Sequence, residues 1–99
     1  MVKLLLSWDI KPGREGEYFD FIVREFAPRL MKMGIQIVEA WYTIFGNGPQ
    51  IVTGVVADNL DTLKEILDSD EWRELKTELL EFVTNFQQKV VPVTGRFQL

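Results

Sequence analysis

Hydrophobic and polar residues alternate over the first ten positions, which predicts a strand from Val2 to Ile10. One side of this strand is entirely apolar and the other is mixed. The apolar side holds Leu4, Leu6, Trp8 and Ile10, and the mixed side holds Lys3, Leu5, Ser7 and Asp9. The segment Lys11-Pro12-Gly13 should end the strand, because proline and glycine favour turns.

After this turn the apolar residues follow a helical period, which predicts a helix from Glu15 to Met33. Its expected core stripe is Phe19, Ile22, Val23, Phe26, Leu30 and Met33. Pro28 interrupts the pattern, since its nitrogen has no hydrogen to donate to the carbonyl of Arg24. We therefore expect a kink near that position.

The turn signal Gly46-Asn47-Gly48-Pro49 separates two apolar segments and predicts a hairpin with strands at Ile35–Phe45 and Gln50–Ala57. With a four-residue loop, Trp41 would lie directly across from Gly54 on one face. Tyr42 would lie on the other face, beneath the helices.

The remaining segment predicts a short helix at Asp58–Leu67, capped by Asp58 or Asn59, and a new cap at Asp68 with Glu71 three residues later. A second helix is expected from Asp70 to Val90, and a short last strand from Arg96 to Leu99. The expected stripe of this helix is Trp72, Leu75, Leu79, Phe82, Val83, Phe86 and Val90.

The element order is therefore β-α-β-β-α-β, an α+β class with ferredoxin-like topology. We expect residues 1–99 to form one domain, with a four-stranded antiparallel sheet and both helices on one of its faces. The opposite face would carry Leu5, Trp41, Val52 and Val56, whereas a solvated sheet face normally has more charge and no tryptophan. We therefore expect a homodimer in which two such faces pack together around a twofold axis.

Composition narrows the chemistry. The chain is 46% hydrophobic and 26% charged, and its formal net charge is −4, which disfavours nucleic acid and anionic membrane surfaces as partners. It has no cysteine and no histidine, which excludes thiolate nucleophiles, zinc–thiolate sites and histidine acid–base chemistry. We expect no metal and no cofactor. Without a targeting segment or an apolar span, a cytoplasmic location is expected.

Three segments resemble the dimeric α/β-barrel superfamily, which includes antibiotic-biosynthesis monooxygenase-like and NIPSNAP-like proteins. They are the Lys11-Pro12-Gly13 turn with the acidic, aromatic helix start at 15–21, the hairpin containing Glu39-Ala40-Trp41-Tyr42, and the helix opening Ser69-Asp70-Glu71-Trp72-Arg73. The resemblance covers nearly the whole chain and implies the dimeric barrel fold. The superfamily includes cofactor-free oxygenases, haem-degrading enzymes and isomerases. Absence of histidine argues against the haem-binding branch, and the fold alone assigns no activity.

Glu39 is the candidate catalytic residue, because a carboxylate in a partly apolar barrel could act as a general base. The alternatives are an ion pair with Arg96 or Lys3 inside the barrel, or exposure at a barrel mouth. Trp41 and Gly54 are candidate ligand-binding residues, since a strand glycine often marks close approach by another group. In the alternative, the indole simply covers the glycine.

Ser7 and Asp9 could add polar contacts at the rim of the barrel, although Asp9 could instead cap a turn. Arg96 could hold a carboxylate or enolate ligand, or form a structural ion pair. Two functions remain open. One is an oxygenase- or isomerase-like enzyme that acts without a cofactor on a small, largely apolar substrate. The other is a non-catalytic module that binds a small hydrophobic ligand or serves as a dimeric scaffold.

Overall fold

Four strands form one antiparallel sheet in the computed structural model, which describes residues 1–43 and 48–92. The strands are β1 (Val2–Ile10), β2 (Gln36–Tyr42), β3 (Ile51–Ala57) and β4 (Val83–Pro92). The helices are α1 (Glu15–Phe21), α2 (Ala27–Met33), α3 (Leu60–Leu67) and α4 (Asp70–Leu79), and a π-helical turn at Ile22–Phe26 joins α1 to α2. The sheet order is β2-β3-β1-β4, which confirms the predicted ferredoxin-like topology.

The core lies between the helices and one face of the sheet. Alternate residues of β1 are buried, as the sequence pattern predicts, and they pack with the inward face of β3 and with apolar residues of all four helices. Trp8 and Trp72 are both almost fully buried, which confirms them as core residues. Burial of these large side chains is the main favourable term in folding.

The first helix contains a π-helical turn where a kink was expected. The amide of Ala27 donates to the carbonyl of Ile22, five residues earlier, and Pro28 follows without an amide of its own. A π-turn inserts one residue relative to a regular α-helix and shifts the phase of everything before it.

This shift of phase corrects the expected core stripe at its N-terminal end. Phe26 and Leu30 are buried as predicted, but Phe19 is largely exposed and Val23 is 71% exposed. Tyr18 and Phe21 are buried in their place. Phe21 and Phe26, five residues apart, lie on one face only because the π-turn separates them.

The hairpin register differs from the prediction by two residues. The amide of Thr43 donates to the carbonyl of Gln50 at 2.7 Å, so the loop is longer than four residues. Residues 44–47 of the predicted strand and turn lie outside the described residues. The alternation of faces survives from Glu39 to Tyr42, and a bulge between Ile37 and Glu39 alters it before that point.

The shifted register corrects two expectations. Trp41 pairs with Val52, and Gly54 pairs with Glu39, so the predicted Trp41–Gly54 pair is wrong. Tyr42 does lie on the helical side of the sheet but is 47% exposed, because β2 is an edge strand. It is not a core residue.

Both later helices begin at side-chain caps. The Asn59 side chain accepts from the amide of Thr62 at 2.8 Å, which confirms Asn59 as the cap of α3. The Ser69 hydroxyl accepts from the amide of Trp72 at 3.2 Å. The cap of α4 is therefore Ser69 rather than Asp68.

The last helix ends eleven residues earlier than predicted, and its predicted second half is a strand. The amide of Phe82 donates to the carbonyl of Leu79, and the carbonyl of Phe82 accepts from the amide of Lys11. The chain from Val83 onward then pairs antiparallel with the free edge of β1. Pairing satisfies the backbone groups of that edge, a tertiary gain that outweighs a weak local helical preference. The predicted strand 96–99 lies outside the described residues.

A bulge in β4 explains why its apolar residues have a spacing typical of a helix. Asn85 has a positive φ of 56°, and β1 passes from Ser7–Gln87 to Asp9–Thr84 pairing, so that Asn85 and Phe86 together lie opposite Trp8. The bulge turns Phe86 onto the core side, where its ring stacks on Trp8 with centroids 6.0 Å apart. The resulting spacing of three residues between Val83 and Phe86, both on the core side, resembles one helical turn.

Deletion of Val23 should be tolerated, because it removes the residue that the π-turn accommodates and leaves Tyr18 and Phe26 on one face of a regular helix. The matched deletion of exposed Thr77, inside regular α4, rotates Leu75 about 100° away from the core. Deletion of Val23 should shift the melting temperature by less than about 5 °C, and deletion of Thr77 by more than about 15 °C or until no fold remains. Thermal unfolding followed by circular dichroism measures both. Equal damage from the two deletions contradicts this account of the helix.

Candidate functional site

The face of the sheet away from the helices, here called the open face, carries most of the predicted site residues. Its outer strands contribute both charged and apolar side chains, and its centre is apolar. The register places on it Lys3, Leu5, Ser7 and Asp9 of β1, Glu39 and Trp41 of β2, Val52, Gly54 and Val56 of β3, and Gln87, Lys89 and Val91 of β4.

Glu39 folds over Gly54 and meets Lys3. A methyl group added at Gly54 would lie 2.7 Å from both Cγ and Oε1 of Glu39, which is closer than real side chains approach. The glycine therefore does mark a close approach, as predicted, but the approaching group is the carboxylate and not the indole of Trp41.

The Lys3 ammonium contacts Oε1 of Glu39 as a close ion pair that lacks the angles of a directed hydrogen bond. Both side chains are partly buried. Of the two cations considered as partners for Glu39, Lys3 is the one seen in contact, and Arg96 lies outside the described residues. This contact is the ion pair with Lys3 considered above as an alternative role for Glu39.

Asp9 links the β2–β3 hairpin to the bulge of β4. Its Oδ1 accepts from the amide of Gln50 and its Oδ2 accepts from the side-chain amide of Asn85, each at 2.8 Å. The Gln50 side chain in turn accepts from the amide of Ile10 at 2.8 Å. The hydrogen bonds from Asn85 and Gln50 lower the pKa of Asp9, because they favour the charged form. The turn-capping alternative for Asp9 is therefore the one the geometry supports.

Ser7 and Trp41 are near one another but make no site with Asp9. Ser7 is half-buried on β1 and shares the partner Val52 with Trp41 across β3. Trp41 is 52% exposed. The open face thus brings Glu39, Gly54 and Trp41 into one neighbourhood, and Asp9 belongs to the loops at the end of the sheet.

A cavity of about 240 Å³ lies on the other side of the sheet, between α1, the π-turn and the hairpin. Its walls are mostly aromatic and aliphatic, and three lining residues carry hydroxyl groups, Tyr18 on the helix side and Tyr42 and Thr53 on the sheet side. The lining residues are Trp8, Tyr18, Phe19, Ile22, Phe26, Ile37, Ala40, Trp41, Tyr42, Ile51 and Thr53. We call it the aromatic pocket. Among the described residues, Trp41 is the one predicted site residue that borders this pocket, although the register places its side chain on the open face.

Trp8 and Tyr18 form the polar point in this apolar pocket. The indole Nε1–H of Trp8 donates to the Tyr18 hydroxyl at 2.8 Å, and the bond is buried. Tyr18 is only 3% exposed, and burial raises its pKa to about 12, since the phenolate would lose its hydration. The hydroxyl is therefore protonated at neutral pH and is not a general base.

The mouth of the pocket is formed by aromatic side chains that the protomer leaves partly exposed. The rings of Phe19 and Tyr42 stack across it, with centroids 6.3 Å apart, and Gln50 donates to the Tyr42 hydroxyl at 3.2 Å. Phe19 and Ile22 are at the mouth because the π-turn changes the phase of the helix. Sequence analysis missed the pocket for this reason. The usable signal was the pair of Trp8 and Tyr18, since buried aromatic residues with polar atoms need partners.

Within residues 1–43 and 48–92, no group of acidic side chains has the arrangement of a metal site. In the same ranges, no helix is long and apolar enough to span a membrane.

Comparison with known proteins shows the fold. No protein-family model matches the chain, and no curated protein matches it in sequence. A NIPSNAP domain protein from Burkholderia xenovorans superimposes with a TM-score of 0.71 at 12% identity, over 99% of this chain and 100% of that chain. A protein from Arabidopsis thaliana superimposes with a TM-score of 0.80 at 13% identity, over 100% of both chains.

A third solved structure, from Bacteroides fragilis, is described as a dimeric protein of unknown function with a ferredoxin-like fold. Its TM-score is 0.62 at 17% identity, over 93% of this chain and 95% of that chain. The predicted likeness to NIPSNAP-like proteins and the ferredoxin-like architecture are thereby confirmed at the level of the fold.

The substitution Gly54→Ala should destabilise the protein through Glu39 alone. The added methyl displaces the carboxylate from Lys3, an overpacking cost of about 1–3 kcal/mol. In a Glu39→Ala background the same change should be neutral or stabilising by up to about 1 kcal/mol, because alanine suits a strand better than glycine. Urea unfolding of the four proteins in this double-mutant cycle gives the coupling. An equal cost of Gly54→Ala in both backgrounds contradicts the contact.

Proposed function

We propose that this protein is a non-catalytic binding module that holds a small, largely apolar molecule in the aromatic pocket and works as a homodimer joined through its open face. The observation that carries the proposal is the aromatic pocket itself. Voids larger than a water molecule are uncommon inside close-packed domains, and an apolar cavity of about 150 Å³ is enough to bind benzene. The pocket exceeds that volume and opens between side chains that are partly exposed.

The π-turn next to the pocket supports a role of the pocket in binding. The π-turn costs regular hydrogen bonding, and such turns are frequent at functional sites. Here it directs Ile22 and Phe26 into the pocket wall and leaves Phe19 at the mouth. Regular α-helical phasing would carry these side chains to other positions. The pocket depends on the irregular turn, as expected of a feature kept for binding.

The open face supports pairing with a second copy. Its apolar residues Leu5, Val52, Val56 and Val91 run across three adjacent strands, on a chain too short to have a large stability margin alone. The bulge next to Val38 disturbs the edge of β2, and bulges oppose edge-to-edge pairing of sheets. Face-to-face packing around a twofold axis is the remaining way to cover this surface. The Bacteroides fragilis protein, with a similar fold, is described as dimeric.

The enzymatic alternative has weaker support. Glu39, the candidate base, contacts Lys3 on the open face, whereas the aromatic pocket lies on the opposite side of the sheet. Within the pocket, Tyr18 is held protonated by its high pKa. A cofactor-free oxygenase or isomerase would need a base beside its substrate, and the described lining residues include no ionisable carboxylate or amine.

The wild-type protein should sediment as a dimer at micromolar concentration in analytical ultracentrifugation. Leu5→Lys places a charge at the centre of the open face and should produce a monomer, because burying two unpaired charges opposes association. Met31→Lys, at an exposed apolar residue of α2, makes the same change elsewhere and should leave the dimer intact. A wild-type monomer, or a dimer that survives Leu5→Lys in a folded protein, contradicts the proposed interface.

A two-ring aromatic ketone, 2-acetylnaphthalene, should bind the wild-type protein and raise its melting temperature, since a ligand that binds only the folded state stabilises it. Ala40→Trp fills the pocket and should abolish binding and the thermal shift. Glu65→Trp adds the same indole to the exposed side of α3 and should change neither. Equilibrium dialysis and thermal unfolding give the two readouts. Equal binding to wild type and a folded Ala40→Trp variant would place the ligand outside the pocket.

A further inference from the structure

The Tyr18 hydroxyl has no hydrogen-bond acceptor for its proton among the described residues. A tyrosine hydroxyl has one O–H donor and two acceptor lone pairs, and the indole N–H of Trp8 occupies a lone pair. Among the described residues, no side chain or carbonyl accepts the Tyr18 proton, although the residue is almost completely buried. Buried donors normally have a hydrogen-bond partner. We therefore expect a molecule in the pocket to accept a hydrogen bond from this hydroxyl.

The acidity of Tyr18 fits a donor role. Its pKa of about 12 keeps the proton on the oxygen throughout the neutral range. The indole of Trp8 holds the oxygen in place by donating to it at 2.8 Å. A donor that is fixed in position in an apolar cavity can discriminate between ligands that do and do not accept its proton.

The described lining residues include no carboxylate, ammonium or guanidinium group that could balance a charge. A charged group that loses its hydration without a partner is strongly disfavoured. Carboxylates and ammonium groups should therefore be excluded. An uncharged oxygen acceptor, such as a ketone, can accept a hydrogen bond from the Tyr18 hydroxyl without that cost.

The surrounding rings favour an aromatic ligand. Trp8 meets Tyr18 and Phe26 edge to face, with centroids 6.3 and 5.9 Å apart, and Phe19 stacks against Tyr42 at the mouth. A planar ring can adopt the same offset and edge-to-face contacts with these walls.

We propose that the aromatic pocket selects uncharged aromatic molecules that carry one oxygen acceptor, and that this oxygen accepts a hydrogen bond from the Tyr18 hydroxyl. The inference rests on the proposed function and adds the chemical class of the ligand. It also assigns specificity to Tyr18, a residue that acts by direct contact with the ligand.

Three probes of similar size separate the elements of this proposal. They are naphthalene, which has no acceptor, 2-acetylnaphthalene, which has a neutral one, and 2-naphthoate, which is an anion at neutral pH. The ketone should bind the wild-type protein about fivefold to tenfold more tightly than naphthalene, the ratio of one net hydrogen bond. The naphthoate should bind at least about tenfold more weakly than the ketone. Equilibrium dialysis gives the three dissociation constants.

Tyr18→Phe should bring the ketone-to-naphthalene ratio close to one, because the variant keeps the ring and loses the proton donor. Tyr42→Phe removes the other hydroxyl group of a lining tyrosine. It can shift both affinities together but should keep the ratio. If Tyr18→Phe does not fold, the wild-type ratio decides, since a ratio near one overturns the role of Tyr18.

The outcomes distinguish this proposal from the proposed binding function on which it rests. Binding of all three probes with equal affinity overturns the ligand class and leaves the pocket as a binding site. Tighter binding of the naphthoate overturns the requirement for an uncharged ligand. Failure of every probe to bind overturns the proposed function itself.

Discussion

The buried indole of Trp8 is the contact on which the rest of the structure depends. Its ring stacks on Phe86 from β4, meets Phe26 from the π-turn edge to face, and donates a hydrogen bond to Tyr18 from α1. Each of these partners occupies its place through a local irregularity, either a bulge or a widened helical turn. One side chain on the central strand therefore aligns the last strand, the first helix and the floor of the aromatic pocket.

The sheet separates two surfaces with different chemistry. Toward the helices, irregular backbone leaves a largely apolar pocket that contains the Trp8–Tyr18 hydrogen bond. Away from them, a face of mixed apolar and polar residues contains the ion pair of Lys3 and Glu39 above Gly54. Ion pairs of this kind contribute little to stability by themselves, but they can orient one sheet against another. In the proposed dimer, association and ligand binding would use opposite sides of the same strands.

Sequence reasoning did not find the aromatic pocket, because periodicity assumes regular elements. The predicted stripe of the first helix followed a constant 3.6-residue period, and the π-turn breaks that period between Phe21 and Phe26. The helical spacing of Val83 and Phe86 likewise arises from a bulged strand that has Asn85 in a left-handed conformation. Register is set by the turn and by bulges, and the one at Val38 has no clear sequence signal.

The amino-acid sequence by itself determined the strand β1, the buried faces of β1 and β3, the cap at Asn59 and the ferredoxin-like order of elements, since each follows from local periodicity or a local hydrogen bond. It also marked Gly54 as a point of close approach. Only the tertiary structure decided that Glu39 makes this approach, that residues 83–92 form a strand, and that a pocket opens beside Tyr18. These features depend on contacts between residues far apart in the chain. The energies of these contacts outweigh the local conformational preference, and no single segment of the sequence specifies them.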